Sequence, residues 1–259
     1  MGLQQKVALI TGGARGLGKM TAFALAQAGC SVAVSYVNSK QEADQLVDQL
    51  KEFGVRSAAY RGDITKSEDI QHIVEQTVHE LGDIDILINN AGPFVRERKL
   101  FADYTAEEIR YLLSGNLLGV MELDHLVLPA MRKKGWGRII HFGFSHAAEA
   151  RGWPHRAVYA ASKVGLVSFT KTLAVEEAQF GITVNMVCPG DIRGDNKEKW
   201  IHEVKSIPDM ESPRGRPGAG EDVARAILFL CEDKSDFITG NMLDVSGGLD
   251  PIRTLPIRS

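Results

Sequence analysis

The feature that most constrains this chain is a repeated alternation of short apolar runs with longer segments of helical period. Val7–Ile10 is a compact strand-like run, and Gly16–Ala28 follows with Leu17, Thr21, Ala24, Leu25 and Ala28 at helical spacing. Ser31–Tyr36 is again strand-like, and Lys40–Phe53 carries Ala43, Leu46, Val47, Leu50 and Phe53 on one stripe. Ser57–Tyr60 and Ile84–Ile88 predict two more strands, with a helix over Glu68–Leu81 between them. Thr105 and Glu108 form a capping-box pattern opening a long helix, taken to run to Arg132. The later strands are Arg138–Phe142, Thr183–Cys188 and Asn241–Val245, separated by helices at about Val158–Gln179 and Glu221–Cys231. This order predicts an α/β fold, a doubly wound parallel sheet of about seven strands with helices on both faces. No Pro- or Gly-rich linker and no internal repeat divides the chain. It is therefore taken as one domain over residues 1–250 with a C-terminal tail at 251–259. Asp191–Gly220 holds many charges plus Pro208, Pro213 and Pro217 and lacks a clean period. It is either an ordinary surface connection or a lid over a pocket.

Composition removes several classes of function. Thirty Lys and Arg against 33 Asp and Glu leave a net charge of −3, so no concentrated positive field favours nucleic acid as a partner. Cys30, Cys188 and Cys231 lie far apart, without a disulfide framework or a Cys-x-x-Cys metal site. They are expected as small buried hydrophobes in a reducing, cytoplasmic setting. The seven histidines show no metal-ligand spacing, so no metal is expected. The most apolar stretch, Leu112–Met131, contains Asn116, Glu122, Asp124, His125 and Pro129, which argues against a membrane span. No targeting segment is visible, since the N-terminus runs directly into Lys6–Ile10.

Thr11-Gly12-Gly13-Ala14-Arg15-Gly16-Leu17-Gly18 lies between the first strand and the first helix. Glycines let the backbone approach a diphosphate closely, and the helix N-terminus offers free N–H groups and partial positive charge. A purely structural strand-to-helix turn is the plainer alternative. The position directly after strand one is the context that a dinucleotide-binding turn requires. An acid about 20 residues onward would bond a ribose 2′-hydroxyl and repel a 2′-phosphate. Here that stretch is Ser35-Tyr36-Val37-Asn38-Ser39-Lys40, without an acid. Arg15 and Lys40 stand where they would meet a 2′-phosphate, which favours NADP(H) over NAD(H). Alternatively, both are solvated surface charges.

Tyr159-Ala160-Ala161-Ser162-Lys163 opens a predicted helix, placing Tyr159 and Lys163 on one face, one turn apart. Bringing a phenol from a pKa near 10 to neutrality takes about 4 kcal/mol. A nearby ammonium and a cationic nicotinamide both act in that direction. Such a tyrosine exchanges a proton with a carbonyl or alcohol oxygen. Alone, the pair is a common structural spacing; beside the glycine turn it acquires a chemical meaning.

Together these residues resemble the short-chain dehydrogenase/reductase family over about Lys6 to Gly248. The matching motifs are Thr11-Gly12-x-x-x-Gly16-x-Gly18, Asp63, Asn89-Asn90-Ala91-Gly92, Asn116, Tyr159-x-x-x-Lys163, Pro189-Gly190 and Asp244-x-x-Gly247-Gly248. Within the family the chain looks most like the 3-oxoacyl-[acyl-carrier-protein] reductase-like members. The resemblance implies a Rossmann-type sheet and a homotetramer or dimer built on the helices at 105–132 and 158–179. Gly12, Arg15, Gly16, Leu17, Gly18, Tyr36, Asn38 and Lys40 would contact the cofactor's phosphates and adenosine ribose. Asp63 and Ile64 would hold the adenine edge, and Asn90, Ala91 and Gly92 the ribose and central sheet. Tyr159 would be the general acid, and Lys163 would bond the nicotinamide ribose and lower the tyrosine pKa. Asn116 would hold a relay water, and Pro189 and Gly190 would pass beside the nicotinamide. For Asn90, Asn116 and Pro189-Gly190 the structural alternative is satisfaction of buried backbone groups or a simple turn.

Two departures stand out. The family's substrate-orienting serine stands 13 residues before the tyrosine, which here is His146, while Ser145 is 14 before. Counted forward from Gly137-Arg138, the position falls on Phe144. Ser145 is taken as the donor to the substrate oxygen, with His146 as runner-up and a site lacking that donor as the third outcome. The second departure is Gly194, where relatives often carry a threonine. Phe94, His146, Trp153 and His155 are candidates for the substrate side, although Trp153 and His155 fit a surface or interface equally well.

The leading expectation is an NADPH-dependent reductase acting on a small-molecule ketone. The alternatives are an NAD(P)-dependent alcohol or sugar dehydrogenase, and a catalytically weak NADP(H)-binding sensor or scaffold. The resemblance also implies that enoyl reduction is disfavoured, since relatives with that activity space tyrosine and lysine more widely than Tyr159 and Lys163 are here.

Overall fold

The computed structural model describes residues 3–250 and 252. Seven strands form one parallel sheet: β1 (Val7–Ile10), β2 (Ser31–Tyr36), β3 (Ser57–Arg61), β4 (Ile86–Asn89), β5 (Gly137–Phe142), β6 (Ile182–Pro189) and β7 (Met242–Val245). Their order is β3-β2-β1-β4-β5-β6-β7, and each neighbouring pair is parallel. The strands are near-continuous apolar runs because both sheet faces are covered.

Strand alternation divides the core into two layers. Ala8, Ile10, Val32, Val34, Ile86, Ile88, Ile140 and Val187 face one side. They pack on α1 (Gly16–Gln27), α2 (Lys40–Lys51) and α8 (Gly220–Cys231) through Leu25, Leu46, Leu50, Ile227 and Leu230. Leu9, Ala33, Leu87, Ile139 and Val184 face the other side, against α3 (Ser67–Leu81), α5 (Gly119–Lys134) and α6 (Ala157–Glu177). No helix among the described residues is long and apolar enough to cross a membrane. The three cysteines are buried and unpaired.

The expected elements are all present, with small shifts at their ends. One helix is not as predicted: the stretch after Thr105 is split into α4 (Ala106–Leu113) and α5, joined by a π turn at Ser114–Leu118. Its start is as predicted, with Glu108 N–H donating to Thr105 Oγ1 and the Glu108 side chain accepting from Thr105 N–H. Within the irregular 191–220 stretch lie a 3₁₀ turn at Gly194–Glu198 and a short helix, α7 (Ile201–Val204). Arg216 grips Asp222 through two N–H···O contacts of 2.8 and 2.7 Å, fixing the return into α8. Ile252, assigned to the tail, is buried near Phe144 and Val167, while the rest of 251–259 lies outside the described residues.

The strand order reverses between β1 and β4. Ligands of such sheets bind outside the carboxyl ends of the strands at that reversal, and the glycine turn, Asp63, Asn90–Gly92 and Pro189-Gly190 lie at or just past those ends.

Candidate active site

The glycine turn leaves β1 with Gly12 at φ +61° and Gly16 at φ +61°, backbone that favours glycine over side-chain-bearing residues. Gly12 N–H donates to Ser35 Oγ at 3.1 Å, tying the turn to β2. Asn90 Nδ2 donates to Thr11 O at 2.8 Å and Gly12 O at 3.1 Å, tying it to β4, and Ala91 N–H donates to Thr11 Oγ1 at 3.0 Å. The turn is thus braced from both sides by residues that follow neighbouring strands.

The N-terminus of α1 already holds an anion. Glu198, from the 3₁₀ turn of the irregular stretch, accepts from Gly16 N–H at 2.8 Å and from Lys19 Nζ at 2.9 Å. Although burial raises its carboxyl pKa, these donors and the nearby Arg15 charge outweigh that and hold it below the usual range. The turn therefore binds a carboxylate, chemistry that also suits a phosphate oxygen. The Arg15 guanidinium is exposed and makes no hydrogen bond or close ion pair among the described residues. Lys40, in contrast, is engaged by Asp44 at 2.6 Å across one helical turn. Tyr36 ends β2, and Asn38 is exposed just beyond it. Asp63 Oδ1 accepts from Thr65 N–H at 2.9 Å and Thr65 Oγ1 at 2.8 Å, which fixes the carboxylate after β3 beside buried Ile64.

A cavity of about 1140 Å³ opens at the same sheet edge. Leu17, Asn90, Gly92, Asn116, Tyr159, Lys163, Pro189 and Gly190, predicted from five separate segments, all line it. Gly12, Arg15, Gly16, Gly18, Tyr36, Asn38, Lys40, Asp63, Ile64 and Ala91 are not part of that lining.

Asn116 owes its pose to the π turn. Its Nδ2 donates to Pro93 O at 2.8 Å and Leu112 O at 3.0 Å, the second being the carbonyl that a regular helix would pair with backbone N–H. Both amide hydrogens are thereby engaged, and Oδ1 is left buried without a partner. A Cβ added at Gly92 would collide with that Oδ1 and stand 3.6 Å from Lys163 Nζ, so glycine is needed there. The orphaned acceptor and the lysine thus border one small space.

Tyr159 and Lys163 share a face at the start of α6, with Lys163 Nζ 5.9 Å from the phenol ring centroid. The expected lowering of the tyrosine pKa is not found. Burial, reinforced by the neighbouring Cys188, pushes the phenol up to about 12. Burial likewise pushes Lys163 down to about 8. In both groups desolvation of the charged form is the largest cause. Without a ligand, the phenol holds its proton at neutral pH.

Ser145, the expected donor to the substrate oxygen, is not brought to the cavity. It is fully buried, absent from the cavity lining, and its Oγ has no partner. Its backbone N–H donates to Pro189 O and that of Gly143 to Val187 O, so the chain continues extended past β5. Side chains alternate along extended backbone, and Phe144 is the residue that faces the cavity. His146, the runner-up, bonds Glu149 Oε1 at 2.7 Å and is also absent from the lining. Neither side chain is therefore brought to the cavity beside Tyr159. An aromatic wall stands there instead: Phe94, Phe144 and Trp153 lie 5.0, 6.2 and 6.1 Å from the Tyr159 ring, centroid to centroid. Trp153 and His155 line the cavity as well.

A braced glycine turn, an anion-binding helix start and a Tyr–Lys pair at the reversal of a parallel sheet define a dinucleotide-dependent oxidoreductase. Comparison with known proteins agrees. A family profile described as "Enoyl-(Acyl carrier protein) reductase" matches residues 12–250. YtkK of Bacillus subtilis, an oxidoreductase by name, is 49% identical over 246 residues, covering 95% of this chain and 96% of its own. A solved Bacillus thuringiensis structure, named as a 3-oxoacyl-reductase, is 47% identical with a TM-score of 0.90, covering 96% of this chain and 99% of that one. A blue fluorescent protein from a metagenomic library, solved with NADPH, is 32% identical with a TM-score of 0.84 and the same coverage. The chain belongs to the short-chain dehydrogenase/reductase family. It is an NAD(P)-dependent oxidoreductase of that family.

Proposed function

We propose that this protein reduces a ketone with NADPH, Tyr159 delivering the proton to the carbonyl oxygen. The observation that carries the reading is the phenol itself, which lines the cavity and is held protonated at neutral pH. A phenol so placed can give its proton to a carbonyl oxygen as hydride arrives at the carbon. The residues present fit a nicotinamide dinucleotide: Leu17 and the α1 N-terminus for the diphosphate, Asp63 for the adenosine end, Lys163 for ribose hydroxyls, Pro189-Gly190 beside the ring. That group supplies the hydride when bound. Asn116 Oδ1, an acceptor lacking a partner beside Lys163, suits a water that returns a proton toward Tyr159.

The preference for NADPH rests on exposed, unpaired Arg15 and on the absence of an acid at the end of β2. Lys40 contributes less than its position suggests because Asp44 already holds it. Tyr111, Leu118 and Val175 are exposed on α4, the π turn and α6, and support a dimer or tetramer formed through those helices. Light scattering reads the mass of that assembly, and a monomer would discard it.

Absorbance at 340 nm with NADPH and NADH across ketones, alcohols, a 3-oxoacyl thioester and an enoyl thioester tests the reading. Ketone reduction favouring NADPH is expected. Turnover of the enoyl thioester alone would replace the proposal with the activity in the matched family's description. Tight NADPH binding without turnover of any substrate would favour the sensor.

Glu198 gives a further test. Its carboxylate lies at the helix start that the diphosphate would use, so its charge opposes the cofactor. Glu198→Gln is expected to tighten NADPH binding about fivefold, in line with the roughly 1 kcal/mol of a charge at a helix terminus. Fluorescence titration measures it; weaker binding would show instead that Glu198 helps to build the cofactor site.

A further inference from the structure

Trp153–Arg156 forms the wall of the cavity just before α6, and His155 in that wall has an unusual backbone. Its φ is +65°, left-handed and disfavoured for a side chain with a β-carbon. Two neighbours hold it there: Tyr104 Oη donates to His155 O at 3.4 Å and Arg156 Nη1 donates to the same oxygen at 3.0 Å. Backbone held in such a region by its surroundings is characteristic of ligand clamps. Here the effect is to keep an imidazole on the wall of the cavity that Tyr159 also lines.

The state of that ring follows from its partners. Nδ1 is buried with no hydrogen-bond partner, while Nε2 is not among the buried unpaired atoms. A neutral imidazole carries one proton, on one nitrogen. A buried N–H without an acceptor is costly, so the proton belongs on Nε2. The ring therefore carries its N–H on the nitrogen that is not enclosed, in a residue that lines the cavity. Several neighbouring groups are already engaged: Asn90 and Asn116 donate to backbone carbonyls, and Arg193 is held by Asp191 and Glu211. Phe144 leaves the strand edge beside Tyr159 without a hydroxyl.

We propose that His155 is a substrate-binding residue, its Nε2–H donating to an oxygen of the carbonyl substrate that Tyr159 protonates. The assignment rests on the reduction reading above. It commits the substrate to an acceptor oxygen within reach of the 153–156 wall, with its apolar body against Phe94, Phe144 and Trp153.

The backbone provides a test that separates function from folding. His155→Gly removes the donor and also relieves the left-handed strain. A residue present only for structure would show its loss in Tm or in NADPH binding. The expected result is a Tm equal to or above the parent's, an NADPH Kd within twofold, and a kcat/KM for the ketone lowered ten- to a hundredfold. His155→Asn, which tolerates this backbone and keeps an N–H donor, should recover part of the loss. A kcat/KM within twofold of the parent for His155→Gly would overturn the proposal, as would a loss accompanied by a lower Tm or weaker NADPH binding. Tyr159→Phe is assayed alongside: if it retains turnover, the reduction reading fails and His155 falls with it. If it is inactive while His155→Gly is unimpaired, only the His155 assignment fails.

Discussion

Replacing Tyr159 by Phe is expected to lower kcat/KM for ketone reduction about a thousandfold while leaving the fold and NADPH affinity unchanged. Proton delivery by a positioned side chain contributes about 10² to 10⁴ in rate. The phenol hydroxyl makes no hydrogen bond among the described residues, so its removal strands no partner. The ring stays packed against Phe94, Phe144 and Trp153, whose contacts do not involve the hydroxyl. Stopped-time assays and a fluorescence titration of NADPH read the two effects separately. A variant retaining a tenth or more of the activity would remove Tyr159 from the proton-transfer step.

Lys163→Met is expected to cost activity about a hundredfold yet make the protein more stable at pH 7. The lysine is buried, and desolvation holds its folded pKa at about 8, against 10.5 for the free side chain. Between those values the unfolded chain binds the proton and the folded chain does not, so stability rises with pH through that window. The cost is fully present below about pH 8 and gone above 10.5, and it amounts to about 3 kcal/mol. Methionine fills similar space without the charge. Urea unfolding at pH 7 and at pH 10 measures the difference, which should shrink toward the higher pH. A parent protein more stable than the variant at pH 7 would show that the ammonium has a stabilising partner. The same charge, harmful to folding, favours the anion that Tyr159 becomes after giving up its proton. Stability and activity are thus opposed at one side chain.

Much of this was legible in the residues because a parallel sheet writes itself plainly. Strands buried on both faces give runs such as Val7–Ile10 and Ser31–Tyr36, and both have those bounds in the structure. The glycine turn and the Tyr159–Lys163 pair were found because each depends on spacing within one segment, and the cavity joins Leu17 of the one to both residues of the other. That Phe144 and not Ser145 lines the cavity has a related reason. Alternation along an extended strand decides which of two adjacent side chains faces the pocket, and counting from the tyrosine crosses a loop of altered length. Counting from Gly137-Arg138, along the strand itself, gave Phe144, the residue that lines the cavity. Other features carry no local signal. Glu198 is about 180 positions from Gly16, and nothing in its neighbours points to a helix start across the molecule. The pKa directions of Tyr159 and Lys163 depend on burial by distant segments and not on the local charge pairing that the spacing suggests.

The widened turn at Ser114–Leu118 bears on how this segment can change over time. Each residue of a regular helix advances its neighbours by about 100°, so deleting one here would straighten the rod and rotate everything on one side of the cut. Either the carboxamide of Asn116 would swing off its two carbonyls, or the apolar stripe of α5 would turn away from the sheet. The count of residues between Leu112 and Leu123 is therefore fixed as firmly as their identity, and length variation in this protein must be absorbed elsewhere.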